Sequence, residues 1–204
     1  MKIYEERIAP NARRVRMFLA EKGLLDKVRF EQVDLKAGDN ISSDFRQKNP
    51  IAKIPVMEME DGSYLSESVA ICRFFEAKYP DVPLMGKTPE QQAKIEMWQR
   101  RCEMYFMNMV GMGFQHTSGY FSDRMKPVPE WGEICVKSVP KFFALLDRHL
   151  EHTTYIAGDE FSIADITAFV TMDFAKVIRT RPDEKLVNLK RWYDLISTRE
   201  SINA

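Results

Sequence analysis

Cysteine is scarce: the chain of 204 residues has three, Cys72, Cys102 and Cys135, widely spaced and with no Cys-x-x-Cys pair. That excludes a disulfide framework and a zinc site of the usual spacing, and the three thiols read as small apolar packing groups in a reducing compartment. Charge of one sign is also missing, since 30 Lys+Arg balance 30 Asp+Glu. An electrostatic case for nucleic acid or an anionic membrane surface is therefore absent. No glycine-rich phosphate loop and no His/Cys ligand spacing occurs, so neither a nucleotide nor a metal is implied. The one long stretch without formal charge, residues 104–122, carries Asn108, Gln115, His116, Thr117 and three glycines, too polar for lipid. The opening Met1-Lys2-Ile3-Tyr4-Glu5-Glu6-Arg7 lacks the apolar region of a secretory signal, and a cytoplasmic protein is expected.

What is present is enough apolar material, 45% of residues with twelve methionines, to build a core. The first eighty residues alternate. Lys2 to Tyr4 reads as a strand, Pro10 opens a helix that Gly23 ends, and Val28-Phe30-Val33-Leu35 reads as a second strand parallel to the first. Two short apolar runs flank Glu60-Asp61-Gly62-Ser63 as an antiparallel hairpin, followed by a helix from about Ser66 to Ala77. Three prolines, Pro80, Pro83 and Pro89, then interrupt the pattern. Beyond them the periodicity is helical: Ile95, Trp98, Cys102, Tyr105, Met109 and Met112 step by three and four, as do Val136, Val139, Phe143, Leu146 and Leu150. Phe161-Ser162-Ile163-Ala164-Asp165-Ile166 is a capping box with its hydrophobic staple. The chain is thus expected to hold an α/β domain over residues 1–80, a linker over 81–88 and an all-helical domain over 89–204.

Four segments, in this order and spacing, carry a resemblance: Ala9-Pro10-Asn11-Ala12-Arg13-Arg14-Val15, Asn49-Pro50-Ile51-Ala52-Lys53-Ile54-Pro55-Val56, Leu65-Ser66-Glu67-Ser68-Val69-Ala70-Ile71 and the capped helix at Ser162. The chain resembles the cytosolic glutathione transferases, and more closely a bacterial and fungal subgroup without the usual catalytic Tyr, Ser or Cys. The resemblance implies a thioredoxin-like N-terminal domain, an all-α C-terminal domain, glutathione as co-substrate with no metal, small apolar electrophiles as partners, and a homodimer.

Glutathione needs donors for its γ-glutamyl carboxylate beside an acceptor for its ammonium. Ser68 at a helix start and Glu67 supply both, although the same pair serves equally as a helix-stabilising acidic cap. Ile54-Pro55, if cis, turns the Ile54 backbone outward to pair with an extended peptide; a trans proline at a strand's first residue is the alternative. Lys53 and Lys36 are candidates for the glycine carboxylate, or plain surface charges. The position that matches the family's Ser or Cys is Ala9, which cannot donate. Thiol activation then falls to the positive end of the first helix, to the Asn11 amide, to Tyr4 in the first strand, or to His116 and Ser122 holding a water. Met104, Tyr105, Met112, Phe114 and Tyr120 read as an apolar acceptor pocket, in competition with ordinary helical core. Conjugation is the expected reaction. Peroxide or disulfide reduction through glutathione's own sulfur, and a non-catalytic module on the same fold, are the alternatives.

Overall fold

The short strand β1 (Lys2–Glu5) sits inside a four-stranded sheet, and its Ile3, Tyr4 and Glu5 are buried. The computed structural model describes residues 1–204 and divides them into two units, residues 1–83 with 200–204, and residues 84–199.

In the first unit the sheet order is β2-β1-β3-β4, with β2 (Arg29–Gln32), β3 (Val56–Glu58) and β4 (Tyr64–Leu65). β1 runs parallel to β2 and antiparallel to β3. The crossover between the parallel pair is α1 (Pro10–Glu21), whose first position takes proline because no N–H is needed there. Gly23, at φ +65°, ends that turn in the left-handed region that a side chain disfavours. Pairing of Tyr4 with Val56 and of Ile3 with Met57 sends alternate side chains to opposite faces. Tyr4 and Val56 pack with Val33 and with Phe45 of α2 (Ser43–Lys48), while Ile3 and Met57 are fully buried. α3 (Ser68–Lys78) packs on α1. It begins two residues later than the expected Ser66, because Glu67 occupies the N-cap with φ 65° and ψ 111° and only Ser68 turns helical.

The boundary between the units has a local cause. Lys22 Nζ donates to Glu76 and to the Val82 carbonyl at 2.7 and 2.5 Å, which fixes Val82 to the first unit. Two residues later the Leu84 carbonyl accepts the Ile163 N–H at 3.0 Å, which fixes it to the second. At the other end of the chain, Arg7 donates to the Asn203 carbonyl and Ser201 to Glu21, so residues 200–204 join the first unit.

The second unit is helical: α4 (Pro89–Cys102), a π-helical turn (Glu103–Met107), α5 (Asn108–Thr117), α6 (Pro129–Leu150), α7 (Ile163–Phe174) and α8 (Val187–Ser197). Nearly every side chain of α7 is buried. Among its buried polar residues, Asp165 accepts from Ile156 N–H, Ser162 N–H, Ser162 Oγ and the Trp192 indole at 2.9–3.0 Å. The π turn alters the stripe expected from three-and-four spacing. One extra residue rotates everything downstream by about 100°. Phe106, Met107 and Val110 therefore face inward, and Tyr105 turns out to 60% exposure. No helix is long and apolar enough to cross a membrane.

Candidate active site

Two helix N-termini of the first unit meet through their side chains. α1 is preceded by Ala9, whose side chain gives no cap, and Pro10 has no N–H, so the first-turn N–H of the partly exposed Asn11 has no capping partner at the positive end of the helix. Asn11 is bound in turn to the start of α3: Ser68 Oγ donates to Asn11 Oδ1 at 3.3 Å and accepts from Arg14 Nη1 at 3.0 Å. Arg14 is wholly buried. Immediately before Ser68, Glu67 is exposed with its backbone at positive φ, an arrangement that costs a non-glycine residue about 1–3 kcal/mol. Its carboxylate makes no hydrogen bond within the chain, so the strain presents a free acceptor beside a helix N-terminus.

The loop that leads into β3 supplies a third feature. Asn49, buried, accepts the Ile51 N–H and donates to the Lys53 carbonyl at 2.8 Å; Asn40, also buried, donates to the Ala52 carbonyl at 2.7 Å. These bonds hold Ala52 at φ 56° and set Lys53 outside and Ile54 half-buried on the Tyr4 cluster. The Ile54–Pro55 peptide is cis. Neither Ile54 N–H nor C=O joins the backbone pairing of the chain. The β3–β4 register, Met57 opposite Leu65, would place Ile54 opposite Ser68 if it continued, but the chain turns away at Glu67. An unpaired backbone edge is left where β4 stops. Lys36 and Lys53 are both exposed, with ammonium groups bound to no acid of the chain.

Tyr4 is placed differently. It is 6% exposed, its hydroxyl donates to Glu58 Oε2 at 2.6 Å, and Lys2 Nζ donates to it at 3.0 Å. Burial, reinforced by the Glu58 bond, pushes the phenol above its ordinary value. In this structure the Tyr4 proton is therefore already donated to Glu58 rather than directed away from the sheet.

In the second unit, α5 ends at Thr117 and Gly119 takes φ +71°. His116 Nδ1 accepts the Val128 N–H at 2.9 Å, which leaves Nε2 as the protonated donor. Ser122 lies exposed in the following turn, and no hydrogen bond joins it to His116. The five expected acceptor residues fall into separate places. Phe114 and Tyr120 lie with ring centroids 5.4 Å apart and planes tilted by 44°, in an aromatic cluster with Phe121 and Phe174. Tyr105 instead lines a groove of about 370 Å³ with Trp98, Phe142, Leu145 and His149. Met104 is 53% exposed and Met112 partly buried. The π turn is the reason for the split, since it points Tyr105 away from the direction that unbroken helix gives. All three cysteines are buried, and no group of three or more His, Cys, Asp or Glu is placed to hold a metal ion.

Sequence reasoning missed Arg14, Asn40 and Asn49. Asn49 precedes Pro50 and was open to a turn reading; the other two had no local signal.

Comparison with known proteins draws these features together. Residues 8–78 match the glutathione S-transferase N-terminal domain and residues 120–200 the C-terminal domain. Glutathione S-transferase 2 of Saccharomyces cerevisiae is 31% identical over 99% of this chain and 88% of its own length. The crystal structure of Gtt2 from the same yeast superposes with a TM-score of 0.95 at 32% identity, covering 100% of this chain and 99% of the other. A glutathione S-transferase domain-containing protein from Marinobacter aquaeolei gives 0.95 at 36% identity, over 99% of this chain and 100% of the other. With both domains matched and the likeness running from end to end, the chain belongs to the glutathione S-transferase family.

Proposed function

We propose that this protein is a glutathione S-transferase that binds glutathione along the first unit, stabilises its thiolate at the start of α1 and conjugates it to an apolar electrophile. The observation that carries the reading is the junction of the two helix starts: Ser68 Oγ bonded to Asn11 Oδ1 at 3.3 Å, with an unpaired carboxylate at Glu67 on one side and the uncapped Asn11 N–H on the other. An anion with an adjacent ammonium fits the first, and a thiolate fits the second. The γ-glutamyl carboxylate takes the Ser68 N–H and the ammonium takes Glu67. The cysteinyl backbone pairs with Ile54 beside Pro55, and the glycine carboxylate meets Lys53 with Lys36 nearby.

Sulfur then lies at the α1 N-terminus, where the Asn11 side-chain amide and the Asn11 N–H favour the charged form. The thiolate attacks an electrophilic carbon, a C–S bond forms, and the leaving group departs with its electron pair. Since Ala9 replaces the family's Ser or Cys and Tyr4 is committed to Glu58, the protein fits the subgroup without Tyr, Ser or Cys. His116 with a free Nε2–H, and Ser122, remain its candidate water-holding pair, and the Phe114–Tyr120 cluster its acceptor wall. A cytoplasmic homodimer without a metal completes the proposal.

The test is retention on immobilised glutathione together with turnover of an electrophilic aromatic substrate. Wild type is retained and active; Glu67→Ala and Ser68→Ala lose retention. A wild type that passes through unretained contradicts the proposal.

A further inference from the structure

We infer that Gly132 is a positioning residue for His116: because position 132 carries no side chain, the start of α6 lies close enough to the end of α5 for the Val128 N–H to reach the imidazole, which fixes that ring with its proton on Nε2. This role rests on the reading of His116 as a water-holding group and adds to it the residue that holds the ring.

A backbone N–H only donates, so the 2.9 Å bond from Val128 requires a lone pair on His116 Nδ1 and leaves the proton of the neutral ring on Nε2. That bond depends on how closely two helices approach. Glycine weakens a helix, so Gly132 near the start of α6 calls for a packing reason, and the structure supplies one. Gly132 is buried against α5, where a Cβ would lie 2.6 Å from Thr117 Cγ2, 2.9 Å from His116 Cβ and 3.3 Å from the His116 carbonyl carbon. Carbon atoms settle about 3.5–4.0 Å apart, so a methyl group there forces the helices apart by up to about 1 Å. Thr117 cannot turn its methyl aside without breaking the bond from its Oγ1 to the Gly113 carbonyl, 2.7 Å long. The two His116 atoms are a backbone carbon and the first side-chain carbon, and no rotamer moves them. Val128 follows Gly132, since the Gly132 N–H is bonded to the Val128 carbonyl at 3.1 Å. A shift of about 1 Å carries the Val128–His116 bond past hydrogen-bond range, about 3.5 Å. The ring is then free to turn and to move its proton to the other nitrogen.

Two readouts separate this role from general packing. The first is the nitrogen–nitrogen coupling across the Val128 N–H···Nδ1 bond in the NMR spectrum of isotope-labelled protein, which wild type shows and G132A loses. The second is turnover of an electrophilic aromatic substrate by wild type, G132A, H116A and the double variant. H116A lowers kcat about tenfold with the KM for glutathione unchanged, G132A does nearly the same, and G132A adds nothing in the H116A background. If circular dichroism shows that G132A fails to fold, G132A with T117S takes its place and loses the coupling likewise, since it removes the 2.6 Å contact and keeps the 2.9 Å one on His116. A wild type without the coupling overturns the inference, as does a coupling that survives in G132A, or a G132A loss of kcat as large without His116 as with it. A coupling present in wild type and lost in G132A, beside an H116A protein as active as wild type, overturns the water-holding reading of His116 instead, and the catalytic use of Gly132 with it.

Discussion

Asn11 and Tyr4 are both placed by β1 and α1, yet only one of them has donors to spare. Asn11 receives the Ser68 proton on its oxygen and keeps its amide hydrogens; Tyr4 gives its only proton to Glu58. Asn11→Ala is therefore expected to lower kcat/KM about tenfold at neutral pH, since a hydrogen bond to a charged group contributes about 1.5–3 kcal/mol. The deficit shrinks as pH rises above the bound thiol pKa, where thiolate forms unaided; a pH–rate profile checks both parts. Tyr4→Phe leaves kcat/KM within about twofold and acts on stability instead. The Tyr4 hydroxyl holds the Glu58 carboxyl below its ordinary value. Its folded pKa lies below the unfolded one, so this contribution is present above the unfolded pKa and lost as pH falls through the folded value. Urea unfolding should separate Tyr4→Phe from wild type at neutral pH, and the two curves should converge as pH falls through the lowered Glu58 value.

At this scale Glu67, Ser68 and Asn11 can be proposed from the sequence because helix starts have local chemistry. Arg14 cannot. Arg13, Arg14 and Arg16 look alike in sequence, and packing of α3 on α1, a tertiary fact, decides which of them is buried.

Among the elements, the π turn at Glu103–Met107 has the largest consequence, since it decides which aromatic is core. Phe106 is fully buried and packs on Phe142 and Phe143 at 5.2 and 5.3 Å, whereas Tyr105 is mostly exposed. Phe106→Ala should cost about 3–5 kcal/mol and Tyr105→Ala under about 1 kcal/mol, by denaturant unfolding. An uninterrupted helix in the expected register predicts the reverse order. The start of α7 behaves otherwise. Four donors converge on Asp165, so Asp165→Ala leaves them unpaired in the core and should cost about 3–5 kcal/mol. The Ser162–Asp165 box was readable because its partners lie within one helical turn. The Ile156 and Trp192 bonds to the same carboxylate were not, as they join segments distant in sequence. Likewise the π turn gives no signal in spacing, because an extra residue in a turn is selected by what packs against it.

For the molecule as a whole, two units of different class follow from a change of periodicity at a proline-rich segment, and the family match covers both. The prolines Pro80, Pro83 and Pro89 are what the sequence offers as a signal of where the chain passes from one to the other. Residues 200–204 join the first unit through bonds that Arg7 gives to the Asn203 carbonyl and Ser201 gives to Glu21, contacts distant in sequence that no local pattern signals. As a homodimer the protein should sediment at twice the chain mass; a monomer at micromolar concentration would remove that part of the proposal. The central claim is thiolate stabilisation at the start of α1, and titration of glutathione bound to wild type tests it most directly. The account predicts a thiol pKa at least about one unit below the ordinary 8.5 of a free thiol. Saturated protein whose bound thiol titrates at the ordinary value would contradict it.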